Sequence, residues 1–246
     1  MTLSPPTEQS LREELAAAYR LIAHFGMTDL VYTHLSVRLP GDRHEYLVNP
    51  YGFLFEEITA SSLVIVDADG RPRQQTSYPI NPAGFVIHSA IHRSRPDAAC
   101  VMHTHTVPGM VVAAQDHGIL PLNQINIEFY GSVGFHAYEG IAADDNLSER
   151  KRLVRDLGNR NALILQNHGL LTVGSTIAQA FYRMYYLEQA CRIQIAAQAT
   201  GVPLNMPSEE KIMRTKAQFD DDPDQGQLIW QALRRKLDRE QPDYKN

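Results

Sequence analysis

Apolar and polar positions along this chain change period several times, and each change marks an element. Leu11, Leu15, Tyr19 and Ile22 recur at helical spacing behind Ser10, a residue type suited to N-capping, and predict a helix over 11–25 that Gly26 closes. The period then shortens to two over 34–39, 45–49 and 63–67. The breaks between these segments are Pro40-Gly41-Asp42, Pro50-Tyr51-Gly52 and Asp69-Gly70, which are antiparallel strand and hairpin signals. Further along, helical patterns at 87–92, 107–114, 148–157 and 176–199 alternate with apolar strand runs at 98–102, 131–135 and 162–165. After Pro203 the chain turns polar and acidic, as in Asp220-Asp221-Asp222-Pro223-Asp224, with one amphipathic stretch over 228–237. No internal repeat interrupts this order. It predicts an α/β fold: an αβα sandwich around a central, mostly antiparallel sheet with helices on both faces. Residues 1–8 are expected as a loose arm, 9–204 as the main domain, and 205–246 as an acidic, partly helical extension at the surface or at a subunit contact.

Composition narrows the function classes. The 246 residues are 43% hydrophobic and 21% charged, as in ordinary globular proteins. A net charge of -5 offers no basic footprint for nucleic acid or an anionic membrane, so neither is expected as a partner. No apolar run approaches the length of a bilayer span, and Met1-Thr2-Leu3-Ser4-Pro5-Pro6 lacks a basic region followed by an apolar one. A cytoplasmic protein is the expectation. The two cysteines, Cys100 and Cys191, sit in apolar segments and read as buried free thiols rather than a disulfide.

The chemistry concentrates in histidines. His103 and His105, two apart at the end of an apolar run, share one side of a strand because strand side chains alternate faces. His168 stands in the same kind of position, after Ala162-Leu163-Ile164-Leu165 and just before Gly169. Three imidazoles converging from two strand ends form a divalent-metal site with room for water or substrate. Zn²⁺ is the first expectation, with Mn²⁺, Fe²⁺, Co²⁺ and Ni²⁺ as alternatives, because affinity alone does not choose among them. Of the other histidines, His44 and His117 lie in turn-like segments and read as solvated, while His24 and His92 fall within helices.

An ordered series of segments carries a resemblance beyond these motifs. It runs through Leu15-Ala16-Ala17-Ala18-Tyr19-Arg20-Leu21, Thr33-His34-Leu35-Ser36-Val37-Arg38, Asn49-Pro50-Tyr51-Gly52, Ser94-Arg95-Pro96-Asp97, His103-Thr104-His105 and Asn167-His168-Gly169-Leu170, ending in a helix with Ala180-Phe181-Tyr182. Over roughly residues 9 to 200 the chain resembles the class II aldolase and adducin head-domain family. Thr59-Ala60-Ser61-Ser62-Leu63-Val64 and Asn81-Pro82-Ala83-Gly84-Phe85 resemble its adducin-like bacterial branch. The resemblance implies an αβα sandwich, a homotetrameric ring, and active sites at subunit boundaries around one divalent ion per subunit. The histidines matching its ligands are His103, His105 and His168. It also implies substrate-binding roles for Thr33, Tyr51, Gly52, Asn81 and Gly84.

Two departures from the sugar-phosphate aldolases shift the expected chemistry. Those enzymes carry an acid/base glutamate four positions before the residue matching His88, where this chain has Gly84. Their glycine-asparagine pair, part of a phosphate cradle, is replaced by Thr33-His34. A glycine transfers no proton and an imidazole is no flexible phosphate cradle, so a sugar phosphate is not the expected substrate. The function expected is a metal-dependent lyase, by aldol cleavage or decarboxylation, on a small oxygenated or carboxylated molecule. The alternatives are a non-catalytic adducin-like binding or assembly module, and a metal-dependent isomerase, dehydratase or epimerase. His34 and Tyr130 are the candidate catalytic residues, and His136 and Glu139 are further candidate proton carriers. Arg38, Arg93 and Arg95 are candidate carboxylate binders, with Arg95 expected to be structural and Arg38 expected on a solvated strand face.

Overall fold

A computed structural model describes residues 6–41, 43–140, 147–222 and 225–246. Its centre is a seven-stranded sheet of β1 (His34–Arg38), β2 (Tyr46–Val48), β3 (Val64–Val66), β4 (Cys100–Thr104), β5 (Val133–His136), β6 (Ala162–Leu165) and β7 (Gly169–Gly174), in the order β3-β2-β1-β4-β7-β6-β5. Every neighbouring pair is antiparallel except β5 with β6. The helices are α1 (Glu8–His24), α2 (Pro82–Ser94), α3 (Val107–Ala113), α4 (Gln124–Glu128), α5 (Leu147–Leu157), α6 (Ile177–Ala199), α7 (Glu209–Asp220) and α8 (Gln227–Glu240).

The two-residue period of the strands sorts side chains between two cores. Cys100 and Met102 of β4, Ile164 of β6 and Leu170 of β7 join α1, α3 and α6 on one face. Val101, Leu163, Leu165 and Leu171 pack with Val86, Ile87 and Ile91 of α2 and Leu153 and Leu157 of α5 on the other. Burial on both faces explains why these strands read as unbroken apolar runs. β1 is divided differently. Leu35 and Val37 enter the α1 core, while His34, Ser36 and Arg38 face α2.

The α/β sandwich with a mostly antiparallel sheet agrees with expectation, and most boundaries fall within a few residues. Thr7 rather than Ser10 caps α1, and Glu8 already lies inside it; residues 1–5 of the expected arm lie outside the described residues. Part of the acidic run, 223–224, does too. β7, α4 and α7 were not anticipated. The segment after 205 is bound into the main core: Trp230 and Leu237 of α8 and the following Tyr244 are buried among α1 and α6 residues. Arg20 of α1 donates to Gln241 Oε1 at 3.2 Å and Asp243 Oδ2 at 2.8 Å, tying that end down. Cys100 and Cys191 are buried free thiols. No described helix is long and apolar enough to cross a membrane.

Candidate metal centre

The strand order brings the end of β4, the start of β7 and the start of β1 to one edge of the sheet. His34 on β1 is the direct register partner of His103 on β4, and Thr104 pairs with Leu170 at the start of β7. The β6–β7 hairpin then delivers His168. Asn167 takes a left-handed conformation, φ 54°, which asparagine tolerates better than most residues. Gly169 is required by a close approach: a β-carbon there would lie 2.4 Å from the Thr104 carbonyl oxygen and 3.2 Å from His105 Cδ2. The tight hairpin therefore presses His168 against His105.

The result is a cluster of three imidazoles. His103 Nε2 is 2.8 Å from His105 Nε2, which is 2.9 Å from His168 Nε2. One ligand atom from each lies within 4.8 Å of the others. Their outward contacts fix what those atoms are. His103 Nδ1 meets the Leu170 carbonyl at 2.9 Å, an acceptor only, so Nδ1 carries the proton and donates. His105 Nδ1 donates likewise to Asp29 Oδ2 at 3.0 Å. Burial, reinforced by the neighbouring imidazoles, holds His103 well below the ordinary histidine pKa and His168 down to about 4. With Nδ1 of His103 and of His105 each donating outward, their Nε2 atoms are turned toward one another and toward His168 Nε2, as ligands around a cation would be. The residues fit a divalent metal, and the outward bonds orient the ligands as they do in metal sites generally.

A cleft of about 460 Å³ opens over the cluster. Thr33, His34, Tyr51 and Asn81 line it. Thr33 is buried at φ 67° with its hydroxyl unpartnered, a strained and unsatisfied group inside the cleft. Gly84 borders a smaller space beside it with His34, Asn81 and His88, and Gly52 shapes the adjoining turn at φ 98°.

Other expectations are redirected. Tyr130 precedes β5 and so lies at the opposite end of the sheet from His168, outside the cleft of its own chain. Tyr138 follows β5 and lines the cleft, as do Tyr32, Met110 and Asn167. The parallel pairing of β5 with β6 decides this, and nothing local to either tyrosine announced it. His136 is held by Asp156 Oδ2 at 2.8 Å with Glu149 Oε1 3.7 Å away, and Glu139 pairs with Arg152. The arginines are committed elsewhere. Arg38 is half-buried and turned back onto α2: it donates to the carbonyls of His92, Arg95 and Pro96 at the end of that helix. Arg93 pairs with Asp69, and Arg95 with Asp97. Among the described residues, no lysine or arginine lines the cleft.

Comparison with known proteins accords with this geometry. The Class II Aldolase and Adducin N-terminal domain family matches residues 13–195. The chain belongs to the class II aldolase and adducin family. A Pseudomonas aeruginosa protein, provisionally named a class 2 aldolase protein, is 46% identical over 97% of this chain and 93% of its own length. Rat alpha-adducin is 41% identical over 81% of this chain, which spans only 27% of that longer protein. The solved structure of an aldolase II superfamily protein from Pseudomonas syringae superposes with a TM-score of 0.93 at 48% identity, covering 99% of this chain and 98% of that one. An L-fuculose 1-phosphate aldolase from Glaciozyma antarctica gives a TM-score of 0.84 at 30% identity, covering 99% and 97%.

Proposed function

We propose that this family member is a divalent-metal-dependent lyase that cleaves a carbon–carbon bond, by aldol cleavage or decarboxylation, in a small oxygenated or carboxylated substrate. The observation that carries this reading is the convergence of three histidine ring nitrogens at the floor of a cleft that holds a further imidazole, His34. A metal held by His103, His105 and His168 supplies a Lewis acid for a carbonyl, enolate or carboxylate oxygen. Zn²⁺ is the ion proposed, since three neutral imidazoles suit it; Mn²⁺, Fe²⁺, Co²⁺ and Ni²⁺ are the alternatives.

The chain's own residues do the rest. Asp29 and the Leu170 carbonyl orient the ligand rings. Thr33, Tyr51 and Asn81 bind substrate polar groups, and His34 stands where a proton must be accepted or held. Tyr138 is a phenol at the cleft of the same chain, beside Tyr32 and Tyr51, whereas Tyr130 reaches a cleft only across a boundary between copies. The lack of arginine or lysine among the described residues of the cleft supports a substrate other than a sugar phosphate, whose dianion calls for such partners. The assembly we propose is a homotetramer with sites at subunit boundaries. The exposed Leu30, Val107 and Val111, near cleft residues Tyr32 and Met110 in the chain, support burial of this region against another copy. Buried free thiols fit a cytoplasmic location.

Elemental analysis beside a His103→Ala/His105→Ala variant tests the site, followed by turnover on a panel of aldols and carboxylates. About one divalent ion per chain, lost in the variant, with cleavage of a panel member is the expected result. The second reading, an adducin-like binding or assembly module, is favoured by Gly84 at the acid/base position and by the alpha-adducin match. Metal retained without turnover on any panel member would favour it.

A further inference from the structure

Behind His34 lies a buried chain of hydrogen bonds that enters no metal contact. On α2, Gly84, His88 and His92 are four apart and form one stripe. On β1, His34, Ser36 and Arg38 are two apart and form the facing row. Four helical residues rise about 6 Å and two strand residues about 6.7 Å, so the two rows interleave with little drift. His34 Nδ1 is 2.8 Å from His88 Nε2, and His88 Nδ1 is 2.6 Å from Ser36 Oγ. Ser36 Oγ is also 2.7 Å from His92 Nε2, and His92 Nδ1 is 2.9 Å from the Ala98 carbonyl oxygen.

The direction of every proton in this chain follows from its last member. A carbonyl only accepts, so His92 Nδ1 donates to Ala98. Burial, aided by the charge of Arg38, keeps His92 neutral, and burial with neighbouring imidazoles does the same for His88; the His34 ring, packed between His88 and Gly84, carries one proton. His92 Nε2 is therefore a lone pair, and the Ser36 hydroxyl donates to it. Ser36 Oγ then accepts from His88 Nδ1, and His88 Nε2 accepts from His34 Nδ1. One proton per imidazole and one per hydroxyl are thereby used up, and His34 Nε2 is left without one.

We infer that His88, Ser36 and His92 are positioning residues that lock His34 in its Nδ1–H tautomer, so that Nε2 presents a lone pair to the cleft and selects a substrate with a hydroxyl at that point. Gly84 completes the device. A β-carbon on it would fall 2.2 Å from His34 Cδ2 and 2.5 Å from His34 Nε2, so the ring occupies space that any side chain there would claim. A hydroxyl donates to Nε2, whereas an ether or an anionic oxygen at the same place meets lone pair with lone pair. The substrate half of this inference rests on the lyase reading; the tautomer half does not.

Long-range ¹H–¹⁵N correlation of ¹⁵N-histidine-labelled protein reads the tautomers directly. His34, His88 and His92 are expected as Nδ1–H, against the Nε2–H form that free neutral imidazoles favour, and Ser36→Ala is expected to release His88 and His34 from it. His34 observed as Nε2–H in the wild-type protein overturns the inference, and that measurement needs no variant to fold. The hydroxyl preference is tested on the Zn²⁺-loaded protein with glycolohydroxamate and its methoxy ether, both of which the metal chelates. Binding about tenfold weaker for the ether, consistent with one lost hydrogen bond, is expected, together with a shift of the His34 Nε2 resonance by the hydroxyl compound only. Equal binding of the two overturns the substrate half. Failure of both to bind counts against the lyase reading and the substrate half that rests on it, while the tautomer result stands or falls separately.

Discussion

The imidazole of His34 lies against the bare Cα of Gly84, so close that a β-carbon on residue 84 would sit 2.2 Å from the ring. Glycine at 84 and histidine at 34 are thus matched in this chain: the ring fills the space that a side chain on residue 84 would take. A Gly84→Glu side chain would therefore be driven into His34. Gly84→Ala is expected to cost about 1–3 kcal/mol in chemical denaturation, as overpacking does. In the Gly84→Ala/His34→Ala double variant much of that cost should vanish, giving a coupling of about 1 kcal/mol or more. Additive losses would show that the ring and the glycine do not share the space.

The three ligand imidazoles predict a metal-dependent stability. Zn²⁺ at about a hundred times its dissociation constant stabilises the folded chain by about 2.7 kcal/mol. For a chain of this size that corresponds to a rise in Tm on the order of 5–10 °C. Differential scanning calorimetry with and without a chelator reads it. His103→Ala/His105→Ala should show no chelator-dependent shift, and an unchanged shift in that variant would place the ion elsewhere.

Asp29 would act on a metal bound at the three histidines through His105. Its carboxylate accepts from His105 Nδ1 at 3.0 Å and so holds Nε2 toward His103 and His168. Asp29→Asn keeps the shape but weakens this orienting bond and permits the wrong tautomer. Metal affinity, measured by competition with a chromophoric chelator, is expected to fall about 10–100-fold while the melting temperature of the metal-free protein changes little. Unchanged affinity would mean that the hairpin at Gly169 alone suffices to aim the rings.

Much of this site was legible in the sequence because its signals are local. The spacing of His103 and His105 gives a shared strand side, and His168 follows an apolar strand run just before Gly169, although the hairpin into β7 that delivers it was not anticipated. The buried polar row was not legible. His34, Ser36 and Arg38 alternate with Leu35 and Val37, a pattern identical to that of a half-solvated strand, and only the facing stripe of His88 and His92 makes it interior. That Tyr138 rather than Tyr130 lines the cleft of its own chain was not legible for a topological reason: which end of β5 meets His168 depends on its parallel pairing with β6. The segment after 205 looked detached because its surface is acidic, whereas a few large residues, Trp230, Leu237 and Tyr244, bind it to the core.

A carboxyl at the far end of the sheet predicts an unusual response of stability to pH. Glu128 on α4 is 6% exposed. Its Oε1 accepts from Gln225 Nε2 at 2.9 Å, and its Oε2 lies 3.3 Å from the Tyr182 hydroxyl. Burial pushes its pKa from 4.5 to about 7; the hydrogen bond from Tyr182 and the charges of Arg183 and Lys216 offset only part of that rise. Because the folded value lies above the unfolded one, the folded state binds the proton more tightly. The stability this contributes is fully present below about pH 4.5 and is lost as the pH rises through about 7. Glu128→Gln keeps an acceptor for Gln225 but carries no charge to desolvate. Urea denaturation from pH 5 to 8 should therefore show the variant overtaking the wild-type protein as the pH rises, by about 1–2 kcal/mol at pH 8 after allowing for solvent screening. Parallel pH profiles for the two proteins would mean that Arg183 and Lys216 neutralise the carboxylate fully and that Glu128 ionises in the folded state at its ordinary pH.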